Sequence, residues 1–456
     1  MSGDHFCRLS VIYLPIKIKQ EMNIPVIKTC SIVFAASLFM IMNCSKKSEQ
    51  PLPSLITTAH LDHLYEQVTI QDTEMGIIHI YSNYPDYQWV DASGEGIACV
   101  DDVARAAIFY LELYKQTNKP EYELKMKNMI KFLKYMQADN GWFYNFIEKD
   151  YSINRTHKNS TALPTWWTWR ALWAISEVAL FFKDKDYSYV QSLQTCMAKS
   201  VQSLLNQKPN SMNLKRNSGF DLPTWLPYET GADQAAILIL FLVNYYQITK
   251  DQSLLLYLKD LCNGILKMQQ GDVQNFPYSV FLSWENNWHG WGNMQSYALL
   301  YAYPVLQDQN VLSAALAEID HFYTYLYQQN FLADFSIQRE NGKIIILTSH
   351  AFPQIAYILT PMVWACLQAG QISRNTRYDI QAAELARWFF GANPGKKQMY
   401  DPHTGRCCDG IESIEKINEN SGAESTIEAL LTLNRIEQNP IARKHLAEYI
   451  NTVSEH

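Results

Sequence analysis

Residues 101–137 read DDVARAAIFYLELYKQTNKPEYELKMKNMIKFLKYMQ, and the two halves of this stretch have different patterns. From Asp101 to Gln116 apolar side chains occupy nearly the whole helical wheel, as a helix packed on every side requires. From Pro120 onward Tyr122, Met126, Met129, Ile130, Leu133 and Met136 form one i, i+3, i+4, i+7 stripe, while Lys fills the opposite face. Pro120 opens this second helix with a φ already suited to a first turn. A buried helix, a short polar turn (Thr117-Asn118-Lys119) and a half-exposed helix make one hairpin unit.

The unit repeats. Apolar helical stretches recur at 165–182, 230–247, 293–306, 353–370 and 422–436, spaced by roughly 60 to 70 residues, which marks a repeated supersecondary element. Amphipathic partners follow at about 188–207, 252–269, 310–328, 377–390 and 440–452. Six inner helices alternating with six outer ones predict an all-α fold, an (α/α)6 toroid of six helical hairpins with small β-like loops at one mouth. Residues 58–70 are read as an extra helix against the last hairpin. The links from outer to inner helix (138–164, 208–229, 270–292, 391–421) are long and rich in Gly and aromatics, whereas the returning turns are short. Long links and inner-helix N-termini therefore meet at one mouth, where loops on a rigid scaffold can carry function.

The first 44 residues have a different character. An extended N-terminus leads to Met22, Lys28 and the apolar run CSIVFAASLFMIM (30–42), followed by Asn43-Cys44-Ser45-Lys46-Lys47. This resembles a bacterial lipoprotein signal, with Cys44 as the lipid anchor. The run is short for a bilayer-spanning helix. Residues 45–57 then form a polar, Pro-containing tether, and 58–456 the toroid domain. The implied location is the bacterial cell envelope, periplasmic or on the outer-membrane surface, with the membrane contacted through the lipid.

A hydrophobic fraction of 48% and a charged fraction of 18% suit a large folded core. Net charge is −7 and no long Lys/Arg run occurs, which argues against nucleic acid as a partner. Neither HExxH nor paired CxxC is present, so no metal or cofactor is expected. Cys196, Cys262 and Cys366 lie in apolar helices and read as buried thiols. A GxSxG nucleophile motif is lacking too. The chain is expected to act as a monomer.

Carboxylates gather where inner helices begin: Asp101 and Asp102 on the first, Glu229 and Asp233 at the third, Glu424 on the sixth. Singly, each would serve as an N-terminal cap. Together they supply what glycosidic cleavage needs, one group to protonate the leaving oxygen and another to activate water or attack the anomeric carbon. Asp101, Asp102 and Glu424 are therefore the candidate catalytic residues. Trp166, Trp167, Arg170, Tyr228, Trp288, His289, Trp291, Asn293 and His350, with Glu229 and Asp233, are the candidate substrate-binding residues, since indole faces stack on pyranose rings and polar tips bind hydroxyls. Arg105, one turn after Asp102, is placed to keep these carboxylates ionised.

The six-hairpin pattern resembles the (α/α)6 superfamily of carbohydrate-active enzymes. Gly391-Ala392-Asn393-Pro394-Gly395 and Glu424 in NSGAESTIEALLTL are locally similar to family 9 glycoside hydrolases, in their G-x-N-P turn and general-acid position. Trp89-Val90-Asp91-Ala92-Ser93 resembles that family's aspartate motif without its second Asp. Cys99 to Ala106 (CVDDVARA) is similar to the DD-x-A-R-A signature of a helical domain found beside some bacterial glycosyltransferases. The resemblance implies a glycoside hydrolase acting on an oligo- or polysaccharide, with Glu424 as general acid and Asp101 or Asp102 as base. Two other readings fit the same residues: a polysaccharide lyase or uronyl hydrolase using His289, His350, Tyr228 or Arg170, and a glycan-binding lipoprotein without catalysis.

Overall fold

The computed structural model describes residues 52–209 and 211–454; Cys44 and the signal-like run lie outside them. In chain order the helices are α1 (Ala59–Leu64), α2 (Val100–Thr117), α3 (Pro120–Tyr135), α4 (Trp166–Phe182), α5 (Tyr187–Gln207), α6 (Ala232–Thr249) and α7 (Gln252–Lys267). They continue as α8 (Gln295–Leu306), α9 (Gln309–Glu318), α10 (Thr324–Gln328), α11 (Leu359–Ser373), α12 (Arg377–Ala386), α13 (Ala423–Gln438) and α14 (Pro440–Ser454). Helices α2, α4, α6, α8, α11 and α13 pack side by side in a closed ring, α13 returning to α2. Each lies against the outer helix that follows it, so the fold is the (α/α)6 toroid expected from the repeat.

Burial explains the two kinds of helix. On α6 every residue from Ala232 to Tyr245 is buried, because helices flank it on both sides and another lies behind. On α3 only Met126, Asn128, Met129, Ile130, Phe132 and Leu133 are, matching its single stripe. The short inner-to-outer turns share one device. Helices α2, α6, α8 and α11 each end on a left-handed residue, Asn118, Lys250, Gln307 and Arg374 respectively. That conformation closes a helix within one residue.

The other end carries the long links, built from short antiparallel strand pairs. Residues 98–99 pair with 146–147, so the first link clamps the head of α2. Asn145 accepts Val100 N–H at 2.8 Å through its backbone and Asp101 N–H at 3.3 Å through its side chain. Gly96, at φ +130°, permits the approach of this link, since a Cβ there would overlap the Ile147 carbonyl oxygen.

Two expectations need correction. The helix foreseen at 58–70 stops at Leu64, and Tyr65–Ile70 forms a strand paired with Thr73–Ile78. Tyr65, Val68, Thr69 and Ile70 favour the pleat, and Gln71 and Asp72, both at positive φ, make the tight turn. The helical part does pack on the last hairpin, His60 Nε2 meeting the Ser421 carbonyl at 2.8 Å. The fifth inner helix begins at Leu359, after a one-turn 3-10 segment at Ala356–Ile358 that follows Pro353. Residues 334–340 and 343–350, lying between the two expected helices 310–328 and 353–370, form the longest hairpin of the described chain.

The chain is already docked at the start of the described region. Leu55 is buried, its N–H bonded to Glu437 near the C-terminal end of α13, with Ser54 Oγ on the same carboxylate at 2.9 Å. Among the described residues no helix is long and apolar enough to cross a membrane.

Candidate active site

A cavity of about 490 Å³ opens at the N-terminal ends of the inner helices. Its chemistry is organised by Arg105, a buried guanidinium on the second turn of α2. Nη2 donates to Asp102 Oδ1 at 2.7 Å, Asp101 Oδ2 at 3.1 Å and Glu424 Oε2 at 3.1 Å. Nη1 donates to Glu428 Oε1 at 2.8 Å and Glu424 Oε2 at 3.1 Å. Arg170, from α4, holds Asp101 Oδ1 at 2.9 Å through Nε and the Tyr357 hydroxyl at 2.6 Å through Nη2. Burial would lower the affinity of Arg105 for its proton, but Asp101, Glu424, Asp102 and Glu428 outweigh it and keep the group charged.

The carboxylates are not equivalent. Asp101 is held between two guanidinium groups. Asp102 is 3% exposed and sits on the Cys99 cap, whose thiol accepts its N–H and donates to Oδ2 at 3.1 Å. Burial lifts Asp102 to about 6 against the pull of Arg105, with Asp101 and Glu424 adding to the rise. Burial raises Glu428 as well. The Glu424 side chain is 45% exposed, the most open of the four carboxylates bound to Arg105, and stands in the first turn of α13 facing the cavity.

Burial of Asp102 has a consequence for stability. Its folded value lies above the ordinary carboxylate range, so the native state binds the proton more tightly than the unfolded chain does. Stability from this group is therefore lost as pH rises from about 4 to about 6. Asp102→Asn is expected to be more stable than the parent at pH 8 by about 2 kcal/mol, a difference that shrinks below pH ~4. Thermal unfolding at both pH values checks it, and a variant less stable at pH 8 than at pH 4 relative to the parent contradicts the burial argument.

Sequence expectation and geometry agree on part of the site. Asp101, Asp102 and Glu424 converge, and Trp166 and Trp167 line the wall. Arg170 lies beneath the floor, spent on Asp101 and Tyr357, so it has no free face for a ligand. Trp288 is 1% exposed and stacks on Phe335 in the core, and Asn293, also buried, donates to the Ile358 carbonyl at 3.1 Å; neither lines the cavity. Asp233 and His289 pair with each other at 3.1 Å under the Trp291 ring, at the same mouth but outside this cavity. Tyr228 and Glu229 are exposed at positive φ, Glu229 being bonded to Lys215 at 2.8 Å. His350 ends the long hairpin, 2.6 Å from Asp334. Asn393 is a buried turn residue bonded to the Trp388 and Lys397 carbonyls, and Asp91 is a surface residue near Lys149. Neither lines the cavity.

Other residues complete the lining. Glu95 accepts from the Tyr81 hydroxyl at 3.2 Å; Asp409 accepts Gly422 N–H at 2.8 Å and the Ser425 hydroxyl at 2.6 Å. Burial raises Asp409, partly offset by these two bonds, and the charge of Glu424 adds to the rise. Tyr357 and Asn145 finish the wall. Among the described residues, five carboxylates thus face a cavity whose only lining guanidinium is already fully engaged.

No family model matches the chain, and no curated protein matches it in sequence. Solved structures do match in shape. A cellobiose 2-epimerase from Bacillus thermoamylovorans superposes with TM-score 0.55 at 11% identity, over 83% of this chain and 95% of that one. A D-mannose isomerase gives 0.53 at 12%, over 85% and 100%. A family 76 glycoside hydrolase from a bovine Bacteroides thetaiotaomicron strain gives 0.52 at 14%, over 85% and 78%. At these identities the likeness is one of fold.

Proposed function

We propose that this toroid is a carbohydrate-active enzyme, a glycoside hydrolase that cleaves a neutral oligo- or polysaccharide with the carboxylates of the acidic cavity. The observation that carries this reading is the convergence of Asp102 and Glu424, from the first and last inner helices, on one nitrogen of Arg105 beneath an aromatic-walled opening. The toroids of similar shape include enzymes named for epimerising, isomerising and hydrolysing sugars, which supports a sugar substrate. The choice among reactions rests on the cavity's own groups.

Glu424, open to the cavity, protonates the leaving oxygen. Asp102, which lines the cavity, is the second carboxylate, because it meets one guanidinium and a weakly bound thiol where Asp101 is held between two guanidinium groups. Since both oxygens bind the same Nη2, they lie closer than the ~6.5–9.5 Å that an inverting pair leaves for water, which favours retention through a covalent intermediate on Asp102. Asp102 must be ionised for this, so the rate should rise with pH through about 6.

The surplus of carboxylates disfavours a uronate-containing substrate, which would meet negative charge with no free guanidinium. A panel of neutral and uronate-containing polysaccharides separates the readings. Hydrolysis releases new reducing ends without absorbance from an unsaturated sugar. Absorbance would establish elimination instead, and tight binding of intact oligosaccharide without turnover would establish a binding protein.

Export as a lipoprotein through Cys44 belongs to the same proposal. Cys44→Ser should move the protein from the membrane fraction to the soluble one; unchanged membrane association contradicts the anchor.

A further inference from the structure

A second cavity, of about 430 Å³, opens at the other end of the ring among the last turns of the inner helices. Five of the six supply its lining, among them Glu112 from α2, Glu177 from α4, Tyr301 from α8, Gln368 from α11 and Arg435 from α13. The short turns at this end give no reason for so polar an interior.

Most of its charge is already paired. Glu112 Oε1 accepts from Arg435 Nε at 3.1 Å and Nη2 at 2.9 Å, and Arg435 lies over the Trp364 ring at 3.4 Å. Arg435 Nη1 donates to the Tyr297 hydroxyl at 3.0 Å. Glu177 is different. Its Oε1 accepts from Trp173, Asn244 and Tyr301, each at 3.1 Å, whereas Oε2 has only Lys115 Nζ at 4.0 Å. Among the described residues no hydrogen-bond partner is shown for the side-chain amides of Gln368 and Gln371, which line the same space. One acceptor oxygen and the half-buried Gln368 amide are therefore open to a ligand, with the exposed Gln371 amide at the rim.

The lining carries two carboxylates and two cations, so neither an anion nor a cation finds an unmatched counter-charge. An apolar guest would strip water from Glu177 Oε2 and the half-buried Gln368 amide without replacing it, at a cost for each. A neutral molecule rich in hydroxyls satisfies both conditions, and the volume falls within the ~300–1,000 Å³ of small-molecule sites. We propose that this cavity is a second ligand site, taking a neutral polyhydroxylated molecule of monosaccharide size through Glu177 Oε2, Gln368 and Gln371. It is independent of the catalytic reading of the acidic cavity.

Titration calorimetry with D-glucose, D-mannose, D-galactose and D-glucitol tests it, with D-glucuronate and D-glucosamine as charged comparisons. The proteins are the parent, Gln368→Leu, Glu177→Gln and Glu424→Gln. One of the neutral compounds should saturate a site whose Kd rises about tenfold in Gln368→Leu, which loses one hydrogen bond, and in Glu177→Gln, which loses the charge on one, and is unchanged in Glu424→Gln. Gln368→Leu gives a result even if Glu177→Gln fails to fold. The proposal is overturned by absence of a saturable neutral ligand, by binding that weakens only in Glu424→Gln, or by tighter binding of either charged sugar.

Discussion

Arg105→Met is expected to lower the unfolding free energy by about 3–5 kcal/mol, measured by denaturant titration at pH 7. The guanidinium holds Asp101, Asp102, Glu424 and Glu428, and two of these, Asp102 and Glu428, are nearly fully buried. Removing it leaves like charges facing one another with Arg170, near Asp101 and Glu428, as the remaining counter-charge among the described residues. Protonation would relieve that repulsion, so the deficit should narrow as pH falls from 7 to 4. Arg105→Lys keeps the charge but cannot reach four carboxylates with a planar fork, and should fall between the two. A Met variant as stable as the parent would show that the cluster is held by packing alone.

On the proposed reading as a glycoside hydrolase, Glu424→Gln is expected to reduce kcat for glycan cleavage by about 10²- to 10⁴-fold, the usual contribution of one proton-transferring group. Its fold should be unaffected. Glu424 is the most exposed of the four carboxylates, and Arg105 keeps three others when its charge is removed. Melting temperature and activity measured side by side make the distinction, and a parent-like rate removes Glu424 from the chemistry.

Much of this arrangement is legible in the sequence, and the reasons differ by residue. The toroid follows from a period of apolar and amphipathic helices, a signal repeated six times and insensitive to errors at any one boundary. Asp101, Asp102 and Glu424 were accessible because helix N-termini in a repeat share one level. Glu428 was within reach too: it lies four residues after Glu424, hence on the same face of α13, and only its burial in an apolar run hid it. Glu95, Asp409 and Tyr357 come from links whose paths depend on local pairing, such as the clamp of 146–147 on 98–99, and no period records that. Trp288 and Asn293 misled for the opposite reason. Their segment, WENNWHGWGN, has the composition of a binding loop, but the strand at Asn287–His289 turns Trp288 inward onto Phe335. Composition alone does not say which face of a strand is buried.

The proposed cleavage of a glycosidic bond at the acidic mouth is tested most directly by reducing-end release from a polysaccharide panel by the parent and by Glu424→Gln, with the first-formed anomer identified by proton NMR. The expected result is cleavage of a neutral glycan with the anomeric configuration retained, and loss of cleavage in the variant. Equal cleavage by parent and variant, or binding of every glycan with no bond broken, would contradict it.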